Sequence, residues 1–421
     1  MDELPDGMRN RKPCLISVVI FALASLLWAV LAMAENASRT YELGGYVAAE
    51  LLYFPDDPLH EGQSDVDVVP SMALEPEFRA IWDGGRSQIV FTPFIRVSSD
   101  DYDPERNHAD IRELNWAHFG SNWWTRVGVG IVYWGKLESR RIVDIINQRD
   151  LVDNVDPDDK LGQPMINLGR QFSWGSVEGY LMPYFREGTF PGLEGRLRGP
   201  FPVDTDQPQY ESTLEERHTD VALRYSNVIG DYDFAASYFH GTGREPRVTL
   251  GKHAEGYDVL IPHYDIIDQV GLEVQATLDA LLVKGEGYYR WNNGGDFPVF
   301  GVGFEYTYFS VWDTNGDIGV LCEYLHDGRG SLAPPTNFDD ELFLGLRWTA
   351  NDLDNTSFLG GGLFDLHTGS GVYSAEFTTR FGSNWKIDVK AQVFTNVSPT
   401  EAVLYAARKD HNLLVSLSRY F

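Results

Sequence analysis

From Thr40 onward the chain reads as one apolar–polar alternation after another, and the connections between these stretches alternate in length. The stretch 268–278 (DQVGLEVQATL) is the cleanest case, and 219–226 (TDVALRYS), 341–348 (ELFLGLRW) and 373–378 (YSAEFT) follow the same rule. A period of two puts apolar side chains on one face of a sheet and polar ones on the other. Eighteen such stretches lie near 40–54, 71–83, 86–98, 109–119, 122–134, 163–172, 175–186, 215–228, 231–241, 263–278, 280–291, 297–311, 317–326, 339–350, 356–366, 371–381, 384–395 and 410–421. Tight connections at 84–85, 120–122, 173–174, 229–230, 279, 313–316, 352–355 and 382–384 take turns with longer ones at 55–70, 99–108, 135–162, 187–214, 242–262 and 396–409. Only 292–296 and 367–370 are short on the long side.

A soluble sandwich or propeller has no reason to gather its short turns at one end. A closed ring with an even strand number and strands of roughly 10 residues does, when that ring crosses a membrane. The expected fold is therefore all-β: a transmembrane antiparallel β-barrel of about 18 strands, with 16 as the alternative. It has short periplasmic turns and long extracellular loops.

The aromatic content, 13% of the chain, fits that reading. Two turns share the string FGSNW, at 119–123 and 381–385, where Gly and Asn tolerate the positive φ of a tight hairpin. Phe119, Trp123, Phe381 and Trp385, with Trp82, Trp174, Trp312, Trp348 and Tyr420, are placed to ring the periplasmic interface, where aromatic side chains favour the headgroup boundary. The last stretch alternates Leu413, Val415 and Leu417 with serines and ends in Phe421. It resembles the closing strand of outer-membrane barrels, which implies recognition by the barrel assembly machinery. Arg419 departs from that pattern.

One long apolar run, 14–34, follows the basic stretch 9–12 and ends Ala32-Met33-Ala34, the small-x-small form of a secretory cleavage site. Residues 1–34 are expected to be a cleaved signal peptide and 35–421 the barrel; a retained anchor is the alternative allowed by length. Cleavage removes Cys14 and leaves Cys322, which excludes an intramolecular disulfide in the exported chain. The net charge of -28 excludes a nucleic-acid partner, because phosphate contacts need a basic face.

If the apolar face meets lipid, the polar face looks into the lumen. That assigns inward Arg96, Arg126, Glu178, Arg186, Asp220, Arg224, Glu273, Lys284, Glu286, Arg290, Glu305, Glu323, Arg347, Glu376, Arg380, Lys386, Asp388 and Lys390. An Arg or Lys on the lipid face costs about 2–4 kcal/mol at the midplane. The connection 135–162 mixes Lys136, Arg140, Arg141, Asp144, Arg149 and Asp150 with Ile142, Val143, Ile145 and Ile146. Such a segment is ill suited to bulk water. It is expected to fold inward and constrict the pore through those six charged residues; packing over the rim as a short amphipathic helix within 137–151 is the alternative.

Trp134-Gly135-Lys136, the run DIINQRDL at 144–151, and Gly169-Arg170-Gln171 with Trp174-Gly175 carry a family likeness. This region, about 126–198, resembles a proteobacterial porin-like outer-membrane β-barrel family that is distantly similar to the alginate-export porins. The resemblance implies an eighteen-strand-like barrel and passive transport without a cofactor. The Arg-rich conduit of the alginate exporters is mixed here with acids.

The loops 55–70 and 99–108 hold Asp56, Asp57, Glu61, Asp65, Asp67, Asp100, Asp101, Asp103 and Glu105. Acidic outer loops suit either solvation or divalent cations beside lipopolysaccharide. Asp153, Asp156, Asp158 and Asp159 lack EF-hand spacing, and Asp313-Thr314-Asn315-Gly316-Asp317 reads as a turn, so no metal site is expected. No nucleophile elbow, zinc-protease helix or phosphate loop occurs. The expected function is a non-enzymatic, porin-like channel for small polar or anionic solutes in the outer membrane of a Gram-negative cell, in contact with lipid and lipopolysaccharide. A plugged barrel acting as an enzyme or surface-binding protein is the alternative.

Overall fold

The computed structural model of the protein describes residues 39–99, 102–152, 159–292, 294–336 and 338–421. The expected signal peptide lies outside the described residues, as do Asp100, Asp101, Asp153, Asp156 and Asp158. In chain order the strands begin β1 (Thr40–Tyr53), β2 (Val68–Trp82), β3 (Ser87–Ser98), β4 (His108–Phe119), β5 (Trp123–Gly130), β6 (Gln163–Phe172) and β7 (Gly175–Met182). They continue β8 (Gln209–Tyr210), β9 (Asp220–Ile229), β10 (Tyr232–Thr242), β11 (Arg247–Lys252), β12 (Asp258–Tyr264), β13 (Ile266–Leu278) and β14 (Leu281–Trp291). The last are β15 (Phe297–Tyr308), β16 (Asp317–Asp327), β17 (Asp340–Thr349), β18 (Ser357–Asp365), β19 (Gly371–Phe381), β20 (Trp385–Thr395) and β21 (Asn412–Tyr420), with one short helix, α1 (Ala402–Ala406), before β21.

Eighteen of these form one closed antiparallel ring, each strand pairing with its neighbours in sequence and β21 returning to β1. A closed ring leaves no unpaired edge. The apolar alternation falls on the outside: Leu272 and Val274 of β13 and Leu344 and Leu346 of β17 are exposed, while Glu273 and Gly345 between them are buried. So wide an apolar surface on a polar-cored ring is the arrangement of a barrel that meets lipid. Connections at one end of the ring are mostly short and those at the other mostly longer, with 292–296 and 366–370 short on the long side.

At the closing seam Tyr46 lies opposite Tyr420, with ring centroids 5.7 Å apart, and the Phe421 N–H donates to the Gly45 carbonyl at 3.2 Å. Gly45 has φ of 118°, and a Cβ there would stand 2.3 Å from the Glu75 carbonyl oxygen, so only glycine lets β1 follow β2 here. Arg419, the departure from the closing-strand pattern, faces outward with its guanidinium 5.4 Å from the Trp385 ring centroid. The charge is thus carried at the aromatic boundary rather than in mid-wall.

The two FGSNW strings form different hairpins. In the first, Phe119 pairs with Trp124 and the Gly120 N–H donates to the Trp123 carbonyl at 2.8 Å. In the second, Gly382 takes φ of 60°, Phe381 pairs with Trp385, and the two rings stack at 6.0 Å.

Three boundaries differ from the alternation. The fifth strand, expected to reach 134, ends at Gly130 because Asn147 and Lys160 take over the backbone partners. The Val132 N–H donates to Asn147 Oδ1 at 2.9 Å, Lys160 Nζ donates to the Val132 carbonyl at 2.7 Å, and Asn147 Nδ2 donates to the carbonyls of Gly130 and Leu161. The seventh strand stops at Met182 rather than 186, and 215–217 is a 3₁₀ turn rather than the start of a strand. β8, β11 and β12 make a second, three-stranded sheet from stretches read as loops.

Candidate functional site

Residues 131–152 leave β5 and cross the inside of the ring to strands on its far side. Their apolar half, Trp134, Val143, Ile145 and Ile146, packs with Met165 of β6, Met182 of β7, Phe239 of β10 and Ile267 of β13. Each such side chain contributes about 1.5–3 kcal/mol when fully buried. The segment forms turns rather than a helix.

Its polar half is fixed by the opposite wall. Glu273 and Glu286 face each other across β13 and β14, a like-charge pair that repels when left alone. The segment and β9 resolve it. Glu286 accepts from the backbone N–H groups of Lys136, Leu137 and Ile142. Glu273 accepts from the Gly135 N–H at 3.2 Å and pairs with Arg224 at 3.0 Å. Glu323 of β16 accepts from the N–H groups of Glu138 and Ser139, both at 2.9 Å, and from the Ser139 hydroxyl at 2.6 Å. Buried carboxylates and orphan N–H groups, each costly alone, satisfy one another.

The six charged residues singled out on the segment sit in different settings. Lys136 Nζ reaches Asp233 of β10 at 2.7 Å. Arg140 lies 4.5 Å from the Phe338 ring centroid and 4.0 Å from Glu341, and burial lowers its pKa. Arg141 lies over the Tyr133 ring. Asp144 pairs with Lys160; burial pushes its carboxyl up against the pull of that lysine. Asp150 pairs with Arg112 of β4 at 2.6 Å and accepts from the Thr189 hydroxyl at 2.6 Å. Burial opposes ionisation there, but His108 and Arg112 hold this carboxyl well below the usual carboxylate range. Arg149 is exposed.

Alternation with the exposed Val97, Val283, Phe304 and Leu346 turns Arg96, Lys284, Glu305 and Arg347 to the opposite face of their strands. Arg96 pairs with Glu50 at 3.1 Å, Glu305 with Arg347 at 3.1 Å, and Arg347 with Glu138 at 2.6 Å, while Lys284 stands 3.7 Å from Glu138. Glu178 accepts from the Tyr180 hydroxyl at 2.8 Å, and Arg126 donates to the Ile131 carbonyl at 3.4 Å. Asp220 pairs with Arg244 at 2.7 Å, and Arg244 in turn donates twice to the Ile146 carbonyl, which fastens the segment to β9. Glu376 lies opposite Lys390, Arg380 opposite Lys386, and Lys386 reaches Asp388 at 2.7 Å. Arg186 belongs to the connection after β7 and reaches Asp110 at 2.8 Å. Beneath the segment, Lys136, Asp233, Arg224, Gln171, Ser176 and Asn227 line a polar cavity of about 440 Å³.

The mouth carries a second crossing. The connection 183–219 stretches from β7 to the connections beside β1 and β21. Arg196, fully buried, pairs with the fully buried Asp410 at 3.1 Å, donates to the Asp56 carbonyl at 2.8 Å, and lies over the Phe54 ring. Sequence reasoning singled out neither Arg196 nor Arg244, because their partners are distant in the chain, and Asn147 entered it only as part of the run 144–151. At the turn end Ser87 Oγ and His118 Nδ1 stand 2.7 Å apart, and His118 has no carboxylate partner among the described residues.

Glu245 joins two parts of this interior, pairing with Arg290 of β14 at 2.8 Å and lying 3.6 Å from Arg329. Burial alone would raise its carboxyl, but the charges of Arg329 and Arg290 lower it to about 2. A depressed carboxyl contributes stability that is complete above its unfolded pKa, about 4.3, and lost as pH falls through about 2. Thermal melts between pH 6 and pH 2 should therefore show the native barrel losing stability on acidification more steeply than Glu245→Gln. Equal slopes would show that this carboxylate carries none of the acid sensitivity. Its partial exposure keeps the effect modest.

No family model matches the chain, and no curated protein matches it. Among solved structures it is similar to engineered variants of a Rhodobacter blastica porin, with TM-scores up to 0.45 at 12% identity, covering 91% of this chain and 100% of that one. It is also similar to a loop-deletion mutant of OmpT, an outer membrane protein of Vibrio cholerae, with a TM-score of 0.43, 11% identity and the same coverage.

Proposed function

We propose that this barrel is a porin-like channel that lets small polar or anionic solutes diffuse passively across the outer membrane of a Gram-negative cell. The observation that carries this reading is the pairing of an apolar outer wall with a charged interior against which the segment 131–152 packs. The remaining interior runs past β18–β20, where Glu376 and Arg380 are exposed on the inner face. Residues 1–34 serve, on this reading, as the export signal. The strand ending in Phe421 is the contact for the barrel assembly machinery, and the outward wall meets lipid and lipopolysaccharide. The porin-like family related to alginate exporters is the proposed kinship. The channel uses no cofactor and carries out no reaction.

Planar-bilayer recording of the refolded protein tests the reading: discrete conductance steps are expected, and a barrel that does not conduct would overturn it. Arg149 is the best single probe of the constriction, because its side chain is exposed while Arg140 and Arg141 lie against aromatic rings. Arg149→Glu is expected to shift the reversal potential in a salt gradient toward cation selectivity. An unchanged reversal potential would place the narrowest point elsewhere.

A further inference from the structure

We propose that His326, Asp339 and Asp340 form a binding site for a divalent transition-metal ion of the zinc class, on the outer face of the barrel at its long-connection end. In β16 the residues Glu323, Leu325 and Asp327 are buried, so Tyr324 and His326 between them face out, and the His326 ring lies 5.2 Å from that of the exposed Phe300. His326 stands opposite Asp340 of β17, with Nδ1 2.8 Å from Asp340 Oδ1. Ligand atoms of His326, Asp339 and Asp340 all lie within 4.8 Å of one another. Tetrahedral bonds of about 2.0–2.2 Å place neighbouring donors about 3.3 Å apart, a gathering that these three side chains reach by small rotations.

The donor set says which ion. One imidazole nitrogen and two carboxylate oxygens leave a fourth position for water, a set that suits zinc and its neighbours, whereas calcium and magnesium favour all-oxygen shells. The far oxygen of Asp340 is held by His367 Nε2 at 2.9 Å, an outer partner that orients a ligating carboxylate. A bound ion would tie the 328–339 connection to β16 and, through His367, to the 366–370 connection.

The same wall supplies a control. Tyr238 and His240 of β10 both contact Asp268 of β13, at 2.6 Å and 3.0 Å, just as Tyr324 and His326 both contact Asp340 Oδ1, and they do so at the same end of the ring. No second carboxylate joins that trio among the described residues. A different cluster, Asp204, Asp206 and His253, brings three ligand atoms together on the outer connections, but two of its groups accept from backbone N–H groups of their own turns. Asp204 accepts from the Asp206 N–H and from Gln207, and His253 Nδ1 accepts from the Glu255 N–H.

Titration calorimetry of the refolded full-length protein in detergent, with zinc chloride and separately with calcium chloride, tests the site. One zinc per chain is expected, with no comparable heat from calcium. His326→Ala and Asp339→Asn should each abolish the zinc signal, His367→Ala should weaken it about tenfold, and His240→Ala and His253→Ala should leave it unchanged. Heat-modifiable gel mobility establishes that each variant is a folded barrel. Absence of zinc binding by the native protein, binding that survives His326→Ala, loss on His253→Ala, or equal heats from calcium would each overturn the proposal.

Discussion

Glu286→Ala is expected to yield a barrel that still closes but conducts more, and in flickering rather than steady steps. The wall around Glu286 is held by ladders to β13 and β15 that do not involve its side chain. The segment is different: the backbone N–H groups of Lys136, Leu137 and Ile142 end on this one carboxylate. Each donor left unpaired in a buried setting costs about 1–3 kcal/mol, so the folded-in arrangement loses several kcal/mol against one that swings toward the axis or the mouth. Glu323→Ala removes the acceptor for Glu138 and Ser139 and should act in the same direction. Single-channel recording reads the outcome. A conductance trace identical to the native one would show that the apolar packing of Val143, Ile145 and Ile146 alone fixes the segment.

A comparable loss is expected at the mouth. Arg196 and Asp410 are both fully buried, so removing the cation leaves a carboxylate in a site that cannot hydrate it. Burial already pushes the Asp410 carboxyl up, and Arg196 is the largest influence opposing that. Breaking one partner of a buried ion pair typically costs about 3–5 kcal/mol. Arg196→Met keeps the stem over the Phe54 ring while deleting the charge. The variant should melt earlier, and added protease should cut within 183–219 in the intact protein. Arg196→Met combined with Asp410→Leu should recover most of the stability, since an apolar pair of similar volume can replace a buried ion pair. A double variant as weak as the single one would point instead to the hydrogen bonds of the pair, Arg196 to the Asp56 carbonyl and the Leu197 N–H to Asp410.

The ring was legible in the sequence because the force that shapes it is periodic. Leu272, Glu273 and Val274 announce inside and outside at every step, and every short turn but 173–174 carries Gly, Asn or Asp. The inward segment was legible as a suspicion, since Ile145 and Ile146 sit among charges where a solvated loop would not spend them. Its mode of attachment was not. Glu286 reads as one more polar residue on a strand until the register puts it opposite Glu273, and only then does the repulsion demand donors. The early end of β5 escaped notice for a similar reason: Val132 and Trp134 keep the period of two, but side chains of Asn147 and Lys160 replace the neighbouring strand. Alternation reports which way a side chain points and is silent about what supplies the hydrogen bonds. The repeated FGSNW string marks another limit, since the same five residues yield hairpins one residue apart in register.

The seam between β1 and β21 makes the wall cyclic in everything but the covalent chain. Thr40 and Phe421 lie at the same end of the ring, and the Tyr46–Tyr420 pairing is one more antiparallel ladder, no different in kind from its seventeen companions. A circular permutant that joins Phe421 to the start of β1 through a short linker and opens at the turn between β9 and β10 would keep every ladder and both interior crossings. Only the order in which strands leave the ribosome would change, which separates what the finished ring needs from what its assembly reads.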